Sequence, residues 1–174
     1  MKIAKQNEYQ MLLNDKDEVI FPPIASLIVD IGENMFAVKV VDKFGVIDSK
    51  GKTILPFKFD DYSKFSHGLV VMERNQTFLV FNAAGWLIYR DPYVDRLGGF
   101  DGEYLYATNY DEDEFTHERQ TAFAKIRIES INKPMDNYEY NKRFLKEKTE
   151  NENMTEKDRK GVNYYQPSFF DLQN

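Results

Sequence analysis

Short apolar runs separated by polar turns make up most of the chain before Pro134. In the clearest example, the run Phe44–Asp48 is followed by the turn Ser49–Lys52, in which a glycine is available for positive φ. Thr53–Leu55 predicts a second strand that stops before proline, because proline cannot donate into a strand ladder. Gly68–Met72 predicts a third strand. No helical spacing of apolar residues interrupts this pattern, which therefore predicts antiparallel β-structure.

The pattern repeats with a period of 34 residues. Asn14, Asp48 and Asn82 are equivalent at that spacing. Further sets share apolar or turn character, and they are Leu13, Ile47 and Phe81; Ile20, Ile54 and Ile88; Phe21, Leu55 and Tyr89; Asp17, Gly51 and Gly85; and Val38, Met72 and Tyr106. An ungapped period through three copies predicts a repeat protein.

The segment Asp42–Pro56 and its continuation Phe59–Val71 resemble the WG-repeat family of bacteria. The Trp-Gly signature of that family is here Phe44-Gly45, and the flanking copies have Gln10-Met11 and Phe78-Leu79 at these positions. On the period argument the resemblance covers about residues 8–110. It implies a β-rich repeat that serves as a binding or scaffold module, a family to which no catalytic residues are assigned.

A final strand is expected to close the repeat array. Between Gln120 and Glu129 every second residue is alanine or isoleucine, and Thr121, Phe123, Lys125 and Arg127 stand between them, an alternation typical of a half-buried strand. The acidic run Asp111–Glu114 is an insertion that displaces this strand along the chain. The predicted fold is therefore mainly β, an antiparallel β-meander of three 34-residue repeats plus a closing strand, with a C-terminal helix or tail. Residues 1–133 form the β-repeat domain.

Composition narrows the classes of function. The 174 residues include 15% aromatic and 30% charged side chains, with a net charge of −6, which argues against a protein that wraps nucleic acid. The absence of cysteine excludes disulfides, thiolate zinc sites and cysteine nucleophiles. The N-terminus shows no apolar targeting segment, so we expect a cytoplasmic protein. We expect no cofactor, no metal and no membrane contact.

The acidic run has two interpretations. Asp111, Glu112, Asp113 and Glu114, with His117 and Glu118, are carboxylate and imidazole groups that suit a hard cation, but they lack EF-hand spacing. We favour a solvated acidic loop, because runs of like charge extend and repel each other. Such a loop also offers a recognition surface for a basic partner.

Other polar features do not combine into a catalytic site. His67 is interpreted as a turn residue, since no serine nucleophile motif accompanies it. Asp60 and Asp61 are adjacent in sequence, which directs their side chains to opposite faces of a strand. The glycines of Leu97–Gly102 are attributed to turn chemistry, because no Lys-Ser/Thr pair follows them. We therefore expect that the protein is not an enzyme.

After Pro134 the chain changes character. Asp136 and Glu139 fit a capping box, and residues 134–161 predict a charged helix or tether with few apolar side chains. Residues 162–174 form an aromatic C-terminal peptide that contains Tyr164, Tyr165, Phe169 and Phe170. Large apolar side chains at a chain end either fold back on the domain or dock on a partner. Both alternatives remain open for this peptide.

The sequence Gln166-Pro167-Ser168-Phe169-Phe170 resembles the short peptide by which many bacterial proteins bind the replicative sliding clamp. The resemblance implies that Gln166 anchors by its amide, that Phe169 and Phe170 fill an apolar pocket, and that Ser168 and Leu172 complete the partner-binding segment.

We therefore predict a non-enzymatic protein-interaction protein, a β-repeat scaffold with a C-terminal docking peptide for a protein partner, with the sliding clamp as the specific hypothesis. The alternative is a cytoplasmic binding, inhibitor or immunity-type module. In that case the tail packs on the domain, and the β surface or the acidic surface binds another protein.

Overall fold

The computed structural model of the protein describes residues 1–112 and 119–135. Within these residues the structure is entirely β, with antiparallel pairing throughout, which confirms the predicted fold class. The described part includes no helix long and apolar enough to cross a membrane. The predicted C-terminal helix and the aromatic peptide lie outside the described residues.

The chain divides into two compact units, the first of which is Met1–Phe59 in the described residues. Its three-stranded sheet has the order β1-β2-β3 and its four-stranded sheet the order β4-β5-β6-β7. The strands are β1 (Lys2–Gln6), β2 (Tyr9–Leu13), β3 (Val19–Ala25), β4 (Leu27–Gly32), β5 (Met35–Val40), β6 (Lys43–Asp48) and β7 (Thr53–Phe59).

The second unit begins at Asp60. It contains a four-stranded sheet of order β11-β10-β9-β8 and a three-stranded sheet of order β12-β13-β14. The strands are β8 (Asp61–Tyr62), β9 (Leu69–Arg74), β10 (Thr77–Asn82), β11 (Leu87–Asp91), β12 (Arg96–Phe100), β13 (Tyr104–Glu112) and β14 (Arg119–Arg127).

The strand positions follow the 34-residue period. The four strands that start at Leu27, Met35, Lys43 and Thr53 are followed 34 residues later by strands that start at Asp61, Leu69, Thr77 and Leu87. The closing strand β14 begins at Arg119, whereas the period alone would start it at residue 111. The acidic insertion therefore displaces the closing strand, as the sequence predicts.

A polar side chain anchors the same turn in each of the three copies. This turn anchor is Asn14, Asp48 or Asn82, and its Oδ1 accepts the backbone N–H groups two and four residues later, at 2.8–3.0 Å. The backbone carbonyl of the same residue accepts the N–H three residues later, at 2.9–3.2 Å. The turn amides are thus paired before the chain enters the next strand, which fixes its direction.

The third residue after each anchor takes a left-handed backbone conformation. Its φ is 62° at Asp17, 78° at Gly51 and 81° at Gly85. Glycine and, less readily, aspartate tolerate this region, which explains why these three residues fall together in the repeat.

Each unit has its own apolar core. Leu13, Ile47 and Phe81, which precede the three turn anchors, are all buried. Leu12, Phe21, Val38 and Phe57 are among the members of the first core cluster, and the second cluster includes Leu69, Val80, Leu97, Phe100 and Leu105. The repeat positions that the sequence identifies as apolar therefore build the core in both units.

The predicted end of a strand before Pro56 is wrong. This proline is buried within β7, which continues to Phe59. The register between β6 and β7 shifts between Phe44 and Val46, which is a bulge, and β7 is the last strand in its sheet order among the described residues. Proline is accepted at such a position because a bulge or sheet edge does not require its missing N–H.

The signature glycine Gly45 is explained by a close approach. A Cβ atom at this position would lie 2.3 Å from Cδ1 of Phe57 and 2.8 Å from the carbonyl oxygen of Leu55. Phe57 packs edge-on against Phe21, with ring centroids 6.0 Å apart. The absence of a side chain at Gly45 thus leaves room for the Phe57 ring to pack over strand β6.

In the other two copies, both members of this pair are different. The two copies that lack the aromatic residue also lack the glycine, and a residue with a longer side chain stands in its place. The three pairs are Gly45 with Phe57, Met11 with Pro23, and Leu79 with Asp91. The signature glycine and its ring therefore belong together in the middle copy.

Gly45→Ala should destabilise the protein by about 1–3 kcal/mol, because the added methyl group overpacks against a ring and a backbone oxygen. The measurement is urea unfolding followed by far-UV circular dichroism. Gly99→Ala is the matched control, since a Cβ there meets nothing within 4 Å. Equal stabilities of the two variants would contradict this explanation of the signature glycine.

Candidate protein-interaction face

Alternate residues of β13 show where the last sheet departs from the earlier copies. Val38 and Met72 are fully buried, at 0% exposure, but the equivalent residue Tyr106 is 41% exposed. Two residues earlier, Phe36 and Val70 are buried, whereas Tyr104 is half-buried. A sheet face that is core in two copies therefore faces solvent in the third.

The β13–β14 pairing extends this exposed face. Residues directly opposite each other in an antiparallel pair point to the same side of the sheet. The register places Phe123 opposite Thr108, Lys125 opposite Tyr106, and Arg127 opposite Tyr104. We call this side the terminal aromatic face, and its members are Tyr104, Tyr106, Tyr110, Phe123, Lys125 and Arg127.

The rings of this face are large and accessible. Phe123 is 80% exposed and Tyr110 is 51% exposed. A contiguous exposed group of aromatic residues is typical of a surface that contacts another molecule, because burial of such rings releases free energy. Single exposed rings would not carry this meaning.

A lysine ammonium group lies among the rings. Nζ of Lys125 is 5.7 Å from the ring centroid of Tyr104 and 5.5 Å from that of Tyr106. Both distances are within the range of cation–π attraction. Nearby, Arg127 Nε is 3.5 Å from Glu103 Oε1. The face is thus aromatic at its centre, with a cation held over two tyrosines.

Asp101 orients Tyr106. The tyrosine hydroxyl donates a hydrogen bond to Asp101 Oδ2, while Asp101 Oδ1 accepts the N–H groups of Glu103 and Tyr104 at 2.9 and 2.8 Å. The hydrogen bond from Tyr106, followed by those two amides, lowers the pKa of the Asp101 carboxyl to about 2. The same bond raises the pKa of Tyr106. The ring is therefore held in one orientation at neutral pH.

The opposite side of the sheet fixes the face in place. Leu97, Phe100, Leu105 and Ala107 are buried and belong to the core of the second unit. On β14, Ile126 is half-buried and packs against the same core. A sheet packed on one side presents its other side as a rigid surface, which lowers the entropic cost of binding.

The second unit also contains a cleft of about 390 Å³, with Asp61, Glu73 and Asp95 in its lining. Asp61 and Glu73 lie directly opposite each other across β8 and β9. Burial, followed by the Asp61 carboxylate, raises the pKa of Tyr62, another lining residue.

A candidate nucleophile in this cleft is already hydrogen-bonded. The hydroxyl of Ser63, another lining residue, accepts the N–H of Val71 at 3.0 Å and donates to the carbonyl of Lys64 at 2.9 Å. Both bonds commit the serine to the backbone. Among residues 1–112 and 119–135, no three histidine, aspartate or glutamate side chains are grouped to hold a metal. The terminal aromatic face is therefore the stronger candidate site.

The residues predicted for partner binding are only partly located. Asp111 and Glu112 end β13 and pair with Gln120 and Arg119 near the β13–β14 connection. Asp113 and Glu114 lie outside the described residues, as do all members of the predicted C-terminal site, which are Gln166, Ser168, Phe169, Phe170 and Leu172. Asp111 and Glu112 thus belong to the β13–β14 pair, which also carries the terminal aromatic face.

His67 is a turn residue, as predicted. Its φ is 49°, and its Nδ1 lies 2.9 Å from Ser66 Oγ and 3.3 Å from the carbonyl oxygen of Phe100. The imidazole also packs edge-on against the Phe100 ring, with centroids 6.4 Å apart. These contacts attach the turn before β9 to strand β12.

Asp60 and Asp61 bond to different amides. Asp60 Oδ2 accepts the N–H of Asn75 at 2.8 Å, and Asp61 Oδ1 accepts that of Tyr62 at the same distance. The two carboxylates thus have separate amide partners.

The assignment of the glycine-rich segment to turn chemistry is wrong for two of its glycines. Gly98 and Gly99 lie within β12, and the register with β13 shifts there. A Cβ at Gly98 would lie 3.2 Å from the carbonyl oxygen of Tyr106. Only Gly102, with φ of 108°, occupies a left-handed turn position.

Tyr106 and Phe123 were not among the predicted site residues, although both lie in segments that the sequence identifies as strands. The signal for Tyr106 is its place in the repeat, where the earlier copies have Val38 and Met72. A polar aromatic residue at a position that is aliphatic elsewhere in the repeat indicates a change of environment.

Comparison with known proteins gives one family match. Residues 44–77 match the model of the WG containing repeat. The match covers β6 to the start of β10 and includes Gly45, Asp48 and Gly51. No curated protein and no solved structure shows significant similarity to the chain.

Tyr106→Phe should raise the pKa of the Asp101 carboxyl from about 2 towards its ordinary value of 3.8, because the largest cause of the depression is removed. Since folding lowers this pKa, the associated stabilisation is present above the unfolded value and is lost as the pH falls through about 2. The measurement is an NMR titration of the Asp101 carboxyl carbon.

Tyr110→Phe is the control for this titration, because Tyr110 donates its backbone N–H to Asp95 rather than bonding to Asp101. An Asp101 titration midpoint that is the same in wild type and Tyr106→Phe would show that the hydroxyl does not hold this carboxylate.

Proposed function

We propose that this chain, which carries a WG containing repeat at residues 44–77, is a non-enzymatic protein-interaction protein. Its β-repeats act as a scaffold that presents two contact elements, the terminal aromatic face and the C-terminal peptide. The observation that carries this proposal is Tyr106, which is 41% exposed at a position where the equivalent residues are fully buried.

The chemistry of the face favours a protein partner. Tyrosine, phenylalanine and arginine, all present on this face, are residue types enriched at protein interfaces. The net charge of −6 opposes binding to a nucleic acid backbone. A rigid sheet supplies contact area at low entropic cost, as a binding module requires. We place this activity in the cytoplasm.

The C-terminal peptide extends the proposal to a specific partner. Gln166-Pro167-Ser168-Phe169-Phe170 resembles a sliding-clamp-binding peptide, with Gln166 as the amide anchor and the two phenylalanines as pocket fillers. We propose that this peptide docks the protein on a bacterial sliding clamp. Ser168 and Leu172 would lie within the bound segment.

A second candidate function is inhibition of another protein, as in an immunity-type module. The observation that favours it is the position of Asp111 and Glu112 at the end of β13, beside Tyr110 of the exposed face. Acidic residues that follow an exposed tyrosine in the same strand suit a partner with a basic rim around an apolar patch. The clamp experiment below tests the first candidate.

The intact protein should bind an immobilised, purified bacterial sliding clamp in a surface plasmon resonance experiment. The triple variant Gln166→Ala, Phe169→Ala and Phe170→Ala should lose most of this binding, because both pocket contacts are removed. The matched control is Tyr164→Ala with Tyr165→Ala, which removes two rings of the same segment outside the motif.

The control should retain the affinity of the wild type. If the intact protein does not bind, or if the triple variant binds as well as the control, the clamp hypothesis is wrong.

A further inference from the structure

The last sheet packs on the core of its unit through Leu105 and Ala107, and the side that carries Tyr106 is exposed. Val38 packs in a core cluster with Leu12 and Phe21 of the preceding sheet. Tyr106, at the equivalent place, is exposed together with Phe123 and Tyr110. Repeat proteins bury each internal face against a neighbour, and an end face needs either polar residues or a cap. This end face is aromatic, which points to a cap.

We propose that the terminal aromatic face is the docking site of the chain's own segment Val162–Leu172. This inference rests on the same peptide as the proposed function and adds an intramolecular partner for it. Six of the eleven residues of this segment are apolar or aromatic, and they are Val162, Tyr164, Tyr165, Phe169, Phe170 and Leu172. The segment holds four of the seven rings that follow Met135, and the other three are Tyr138, Tyr140 and Phe144.

The connection is long enough for docking within one chain. The N–H of Met135 donates to the carbonyl of Leu87 at 2.8 Å, which fixes the start of the connection in the unit that contains the face. Residues 136–161 then precede the aromatic segment. Even as a continuous helix they would span about 39 Å. A compact unit of this size has a radius of gyration of about 11 Å.

Charge and ring chemistry also match. Asp171 follows directly after Phe169 and Phe170 in the segment. On the face, the ammonium of Lys125 lies over the tyrosine rings, and Phe123 is exposed beside them. On this face the rings of Phe169 and Phe170 would contact other aromatic rings, and the Asp171 carboxylate would pair with the Lys125 ammonium.

Intramolecular docking does not require a tight contact. A tethered segment experiences an effective concentration in the millimolar range, so even a weak site is occupied much of the time. The consequence concerns the proposed partner. Phe169 and Phe170 would contact either the face or the partner, and the two states exclude each other. Binding to a partner therefore uncovers the terminal aromatic face.

The test uses a nitroxide spin label on the full chain. Because the protein has no cysteine, Ser168→Cys creates a unique attachment site. In the ¹⁵N-labelled protein, the amide signals of Tyr106, Phe123 and Lys125 should lose most of their intensity by paramagnetic relaxation. Phe169→Ala with Phe170→Ala in the same spin-labelled chain should restore these signals. Phe123→Ser, on the exposed face, should restore those of Tyr106 and Lys125.

Gln166→Ala is the matched control. Its amide is the proposed anchor on the clamp and has no counterpart on the face, so this variant should keep the signal loss while its clamp binding falls. The intramolecular contact and the clamp hypothesis thus fail independently of each other.

Two results would overturn the inference. The first is an unchanged intensity of the face signals in the labelled wild type. The second is a signal loss that also occurs when ¹⁵N-labelled chain without nitroxide is mixed with unlabelled chain that carries it, since the segment would then dock on a second copy.

Discussion

The hydrogen bonds from turn amides to one side-chain oxygen are the constraint on which the repeat depends. Asn14, Asp48 and Asn82 each satisfy two N–H groups that a tight turn would otherwise leave unpaired. With those amides paired, the following strand leaves the turn in the same direction in every copy. Asn82 does more, because its amide nitrogen donates to the carbonyl of Ile131 at 2.9 Å and so attaches the segment after the closing strand.

The same regularity creates the candidate site. A repeat places a residue with the same backbone environment every 34 positions, and the first two copies use that position for core side chains, Val38 and Met72. In the last sheet the position faces outward, and it is occupied by Tyr106, a ring oriented by Asp101. The function that we propose thus arises at the point where the repeat ends.

Much of the fold could be predicted from the sequence, because turn anchors and buried positions both carry local signals. Leu13, Ile47 and Phe81 show the period, and all three are buried. Pro56 led to a wrong strand end because its missing N–H lies at a bulge. The position of a bulge depends on strand pairing and is not visible in the local sequence. Gly98 was misleading because a strand glycine and a turn glycine look alike until the neighbour Tyr106 is known. Exposure of Phe123 also depends on tertiary packing, so its role in the site was not predictable from alternation alone.

An acceptor oxygen at the turn anchor sets the repeat, and the chain itself supplies the control. Asp48→Asn keeps the acceptor and reproduces what Asn14 and Asn82 already do, so its free energy of unfolding should match that of the wild type. Asp48→Ala leaves two amides without this partner and should lose about 1–2 kcal/mol, measured by urea unfolding. Equal stability of Asp48→Ala and Asp48→Asn would contradict the account.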